Sequence, residues 1–262
     1  MPIHADTSPN IKWPMPAVKP AFKVSNVFSQ EIFSEIKTTI KEKANWGPGS
    51  SNTYHSIPGR WVDETHLTAE LEAKIADKCR ELFGEEDLIP AFTFIARYQP
   101  QGTVTPYLWE HMDQNACQYL LDFCVEMNEL DDWGVIVDDE LFSEEENSAI
   151  FFHGQQQTHA RPPYPSKNKD SYIVVLFMAL IKPDHWANTP EFNDPDDPDH
   201  KKYHDLIEVH RWDSEIRFYE HRGYPAYFNN LPEGNYPCPD CVQCQVVDPN
   251  FISNIEGYIH LK

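Results

Sequence analysis

Apolar residues recur along the chain with two different periods, and the switch between them divides it. From residue 29 to 45, Ile32, Phe33, Ile36 and Ile40 fall three or four positions apart, which is one helix face, and Ser29 stands where an N-cap belongs. A second helical stretch covers residues 68–83, with Leu71, Ile75, Cys79 and Leu82 as its stripe and Gly84 as its stop. From Phe92 onward the runs are of strand length: 92–98, 108–113, 117–126, 134–137, 149–153 and 171–181, broken by polar or Pro-containing turns. Residues 126–132 and 138–147 are acidic loops. Two helices followed by a run of strands predict an α+β architecture, a β-barrel supported by N-terminal helices.

The flanks carry no such pattern. Residues 1–20 hold five prolines and read as an extended leader. Residues 46–60 form a Gly/Ser/Pro loop of the kind that covers a pocket. After Pro183 the composition shifts to a Pro/Asp loop and then an aromatic-rich, irregular stretch that wraps the barrel or forms an oligomer contact. The expected division is therefore a leader (1–20), a barrel domain with its helices (21–186) and a C-terminal extension packed on the barrel (187–262). There is no internal repeat.

Charge removes several function classes. The net charge of −21 and the absence of a basic patch argue against a nucleic-acid partner. The longest apolar run, residues 173–181, is half the length of a membrane span and fits a buried strand. No charged-then-apolar N-terminal segment reads as a signal peptide, so a cytoplasmic protein is expected. Cys79, Cys117 and Cys124 fall within predicted elements as reduced core thiols. Cys238, Cys241 and Cys244 have zinc-like spacing but lack a second Cys pair; with only His221 or His260 to complete four ligands, a structural zinc is not expected there.

The candidate chemistry lies in the strand region. His111 and Asp113 are two apart on a predicted strand, so both project from one face toward a single ion. The chain's other His-x-Asp, His4-Ala5-Asp6, lies in the Pro-rich leader, without a strand to present it. A second imidazole comes from His159, with His153 at the end of the 149–153 strand as its rival. Two imidazoles and one carboxylate fill one face of an octahedral metal and leave the rest open, the arrangement of non-heme Fe(II) oxygenases.

These motifs, in this order, resemble the 2-oxoglutarate/Fe(II)-dependent oxygenases, most closely the prolyl-4-hydroxylase-like branch. Tyr98-Gln99-Pro100-Gln101-Gly102 looks like that branch's entry strand, His111-Met112-Asp113 matches its His-x-Asp, and Tyr119-Leu120 sits where it often carries Tyr-Leu. His159 matches its distal histidine. Lys169, ten residues on, falls where the branch places the base that binds the far carboxylate of 2-oxoglutarate; that spacing favours His159 over His153. Two features depart from the pattern: Trp133-Gly134 stands in place of a Gly-Gly pair, and the stretch between His159 and Lys169 is Pro-rich and basic, which leaves Arg161 or Lys167 as alternatives to Lys169. The resemblance covers about a third of the chain.

It implies a double-stranded β-helix of jelly-roll or cupin type, with Fe(II) on His111, Asp113 and His159, 2-oxoglutarate on Lys169, and O2 as oxidant. Ascorbate is a candidate stimulant. Tyr98, Tyr119 and Ser171 are the implied further contacts to the co-substrate. Arg161 is the best candidate for a substrate carboxylate, and Trp109 is a second substrate contact. The implied reaction is hydroxylation of an unactivated C–H, with 2-oxoglutarate decarboxylated to succinate. Halogenating relatives replace the metal carboxylate, so Asp113 favours hydroxylation; desaturation and cyclisation stay open. A small metabolite, such as an amino acid or related carboxylate, is the first expectation for substrate, and a homodimer is the candidate assembly. A peptidyl, prolyl-type hydroxylase and a non-catalytic binding barrel are the alternatives.

Overall fold

A computed structural model describes residues 17–46, 59–100, 106–113, 116–129, 133–166 and 168–185, together with 188 and 196. Most of the leader, most of the 46–60 loop and nearly all of the 187–262 extension, with Cys238, Cys241 and Cys244, lie outside the described residues. So do Lys167 and the side chain of Trp109.

In chain order the elements are β1 (Phe22–Ser25), α1 (Gln30–Lys43), β2 (Arg60–Asp63), α2 (Ala69–Phe83), β3 (Ile89–Tyr98), β4 (Leu108–His111), β5 (Tyr119–Asn128), β6 (Gly134–Val137), β7 (Glu140–Ser143), β8 (Ser148–Phe152), β9 (His159–Arg161) and β10 (Tyr172–Ile181). Both helices form where the period predicts. Ser29 Oγ accepts the Ile32 N–H, Thr68 Oγ1 accepts the Leu71 N–H, and Gly84 closes α2 in the left-handed conformation at φ 68°. On α2, Phe83 and Ala76 join the buried stripe, whereas Leu82 is only half-buried. The strands that the apolar pattern did not show, β1, β2, β7 and β9, have only three or four residues each. That is too short for alternation to register.

The strands make two antiparallel sheets: a six-stranded one in the order β1-β8-β5-β10-β3-β2 and a four-stranded one in the order β4-β9-β6-β7. Alternation along the three central strands of the larger sheet assigns its two faces. Tyr119, Leu121, Phe123 and Val125 of β5, Ala149 and Phe151 of β8, and Val174, Leu176, Met178 and Leu180 of β10 pack with Phe33, Ile36, Ile75 and Phe83 of the helices. Leu120, Cys124, Ile150, Phe152, Ile173, Val175, Phe177 and Ala179 face the other way, toward Val135 and Val137 of the smaller sheet. The result is three layers: helices, large sheet, small sheet. Both faces of the large sheet are covered, so seven successive residues of β5 are buried, apolar except for Asp122.

Candidate metal centre

β4 and β9 lie side by side in the small sheet with His111 opposite His159. β4 ends at His111, so Asp113 lies two residues beyond the strand rather than on it. A backbone bond places it instead: the Asp113 N–H donates to the Gly154 carbonyl at 2.8 Å. The His111, Asp113 and His159 side chains converge, with one ligand atom from each within 4.8 Å of the others. His111 Nε2 is 3.5 Å from Asp113 Oδ1, His159 Nε2 is 3.3 Å from Asp113 Oδ2, and the imidazole centroids are 4.2 Å apart.

The donor set fits a divalent transition metal. His159 Nδ1 is 3.1 Å from the Gln157 carbonyl, which can only accept, so Nδ1 carries the proton and the Nε2 lone pair points at the other two ligands. Burial alone would raise the Asp113 carboxyl, yet the positive charge and N–H donation that His159 and His111 offer when protonated hold it well below the usual carboxylate range. It is ready as an anionic ligand. The Cys117 thiol, pushed up by burial and by the Asp113 charge, stays protonated and donates to that carboxylate.

A turn holds these groups at their spacing. Asp138 and Asp139 take positive φ (47° and 70°) in the two-residue connection of β6 to β7, the form a tight hairpin favours. The Asp138 carboxylate accepts from Gln157 Nε2 at 2.8 Å and from the Thr158 N–H at 3.1 Å. Gln157 Oε1 in turn accepts the His153 N–H at 2.8 Å. Residues 153–158 are thereby fixed just before His159. By sequence this stretch reads only as an acidic loop; the hairpin signal in it is the Asp-Asp pair between apolar runs.

The other candidates separate. His153 projects to the helix side of the large sheet, where its ring lies 4.9 Å from Tyr119 and 6.0 Å from Phe83. It does not share a face with the metal group, and Tyr119 is on the helix side with it. Arg161 does face between the sheets, but it is fully buried: Nη1 donates to Glu144 at 2.7 Å, and Nη2 donates to Glu144 at 2.8 Å and to Asp122 at 2.6 Å. Tyr98 is buried beside it, its hydroxyl accepting from Arg60 Nε at 3.0 Å. Ser171 is buried against the Tyr164 hydroxyl at 3.1 Å.

Lys169 is exposed in the turn before β10, its carbonyl accepting from Gln99 Nε2. Its distance from the metal group follows from strand register. The Phe152 ring lies 4.9 Å from His159, and Phe152 pairs with Leu120, which pairs with Ala179. Lys169 is ten residues up the chain from Ala179, and the eight-residue strand portion from Ser171 alone spans about 26 Å. The ten-residue spacing to His159 therefore does not bring Lys169 to the metal.

No family model matches the chain, and no curated protein does. Among solved structures, the fold is similar to HygX from Streptomyces hygroscopicus, determined with nickel and 2-oxoglutarate bound, at 8% identity, 61% coverage of this chain, 82% of that one and a TM-score of 0.43. It is similar also to the viral collagen prolyl hydroxylase vCPH from Paramecium Bursaria Chlorella virus-1, at 17% identity, 64% and 95% coverage and a TM-score of 0.42. A 2OG-Fe(II) oxygenase family oxidoreductase from Burkholderia pseudomallei gives 9% identity, 61% and 84% coverage and a TM-score of 0.44. Likeness at this level leaves the chemistry to be read from the side chains.

Proposed function

We propose that the protein is an Fe(II)/2-oxoglutarate-dependent dioxygenase that hydroxylates a C–H of a small metabolite, such as an amino acid or related carboxylate. The observation that carries this reading is the convergence of His111, Asp113 and His159. Two neutral imidazoles and a carboxylate suit Fe(II), and three ligands on one face leave positions for an organic co-substrate and O2. The strand order supports a double-stranded β-helix: β3 to β10 divide four and four between the sheets, alternating except for the β6–β7 hairpin, which stays within the small one. Bound Fe(II) with 2-oxoglutarate supplies an O2-dependent oxidation coupled to release of succinate and CO2.

The chain's own side chains do the rest. His159 is held in one tautomer by Gln157, and Asp113 is held as an anion between two imidazoles and the Cys117 thiol. The Phe152 ring against His159 keeps the ligand side dry. Cys79, Cys117 and Cys124 are free and buried, which suits a reducing compartment. Among the described residues no helix is long and apolar enough to cross a membrane.

Anaerobic titration of the apo-protein with Fe(II) and then 2-oxoglutarate tests the reading. A weak visible charge-transfer band on adding the keto acid is expected, absent in His159→Ala. Well-folded protein that binds the metal yet shows no band would overturn it.

A further inference from the structure

One peptide group stands between the tip of the β6–β7 hairpin and the metal ligands. It joins Gln157 to Thr158, and both of its polar ends are taken. The Thr158 N–H donates to Asp138 Oδ1 at 3.1 Å. The Gln157 carbonyl accepts from His159 Nδ1, also at 3.1 Å. In a trans peptide these two ends point in opposite directions. Asp138, the peptide plane and the His159 ring therefore form one chain of hydrogen bonds, with the ligand atom Nε2 at its far end.

The surrounding bonds keep that plane from rotating. The Asp138 N–H donates to the Thr158 carbonyl at 2.8 Å, and Val137 pairs with His159 across the sheet. Asp138 Oδ2 accepts from Gln157 Nε2 at 2.8 Å, while Gln157 Oε1 accepts the His153 N–H at 2.8 Å. Gln157, Thr158 and His159 are buried, whereas Asp138 is exposed. A carboxylate bonded to the N–H of a buried peptide pushes electron density onto the carbonyl oxygen at its other end. That oxygen then accepts more strongly, because hydrogen bonds in a dry interior reinforce one another. A histidine whose Nδ1–H meets a stronger acceptor is held in one orientation and is a better ligand through Nε2.

We propose that Asp138 is a positioning residue of the metal centre. Its carboxylate acts on His159 through the Gln157–Thr158 peptide, fixing the ring and strengthening its hold on the ion. This rests on the metal site of the oxygenase reading. Asp138 is not one of the three ligands, so its effect is separable from theirs. Glu140, exposed two residues on in β7, carries the same charge and supplies the comparison.

Co(II) titration of the full-length protein, followed by proton NMR of the Co(II) form, tests this. An imidazole bound through Nε2 gives its Nδ1–H as a far-shifted line that exchanges with water. Asp138→Gly keeps the positive φ of the turn and removes the acceptor. Its Co(II) affinity is expected to fall about 10–100-fold, with one of the histidine lines lost to exchange. Asp138→Asn keeps an oxygen for Thr158 but not the charge; its affinity is expected to lie between the two, with that line shifted. Glu140→Gln removes an equal charge and is expected to match the wild type. Wild-type affinity and lines in folded Asp138→Asn, or an equal loss in Glu140→Gln, overturns the proposal, and Asp138→Asn decides should Asp138→Gly fail to fold. Wild-type protein that binds no Co(II) defeats this proposal and the oxygenase reading together. Co(II) binding without a charge-transfer band in the Fe(II) and 2-oxoglutarate titration defeats the oxygenase reading alone.

Discussion

A Cβ placed on Gly154 would stand 2.6 Å from Asp113 Oδ2, and the Gly154 carbonyl accepts the Asp113 N–H at 2.8 Å. The metal carboxylate is seated directly on backbone, which no residue other than glycine permits at this approach.

Gly154→Ala therefore pushes the carboxylate off its position. Yielding the other way is blocked, because the same Cβ would be 3.2 Å from the Cys117 side chain. Metal affinity is expected to fall about 10–100-fold, as when a ligand loses its support, with circular dichroism unchanged. A Co(II) titration reads the loss directly, and wild-type affinity would mean that Asp113 has room to shift.

The two histidines once in competition should behave oppositely. His159→Ala is expected to abolish Fe(II) binding with the fold retained, since it removes one of three ligands. His153→Ala is expected to keep the metal and lose thermal stability, because it empties a buried place between Tyr119 and Phe83. Metal stoichiometry by elemental analysis separates the two.

His153 also sets a pH dependence of folding. Burial lowers its pKa, and in the fold it stays neutral with Nε2 unpartnered. The unfolded chain takes up a proton below about pH 6.5 and the folded chain does not. Stability is thus complete above that value and declines as pH falls, by at most about 1.4 kcal/mol per unit for this group. Urea midpoints of wild type and His153→Gln should diverge on acidification, the variant losing less; parallel curves would show that His153 is not the titrating group.

How much of this was legible follows from the range of each contact. The helices announced themselves through local spacing and caps such as Ser29 and Thr68. His111 and Asp113 could be paired because they are two residues apart. Tyr119 could not be assigned a face, since seven successive residues of β5 are buried and alternation leaves no polar side. The Arg161 partners lie 17 and 39 residues away, and nothing in sequence links them before the sheets stack. Lys169 illustrates the converse: the ten-residue spacing is present, but the chain after β9 continues past Trp133 and Pro106, which bond to Pro162 and Tyr164, instead of turning back at once.

Lys169→Ala is accordingly expected to leave 2-oxoglutarate affinity unchanged within error. The side chain is exposed and stands well beyond the reach of a ligand at the metal. A titration in the Mn(II) form measures it. A several-fold weaker Kd would show that Lys169 reaches the site when the co-substrate binds.

Glu144 is the side chain whose loss should hurt the fold most. It takes both terminal nitrogens of Arg161 and is itself fully buried. Glu144→Ala strands a guanidinium between two sheets with only Asp122 as counter-charge, and removing one partner of a buried pair costs about 3–5 kcal/mol. The exposed helix pair Glu70–Lys74, 2.9 Å apart on α2, makes the control: Glu70→Ala should change nothing measurable, because solvent screens that pair and its side chains are held at an entropic cost. Urea unfolding of both variants tests the contrast. Equal midpoints would mean that the stacked sheets admit water to Arg161.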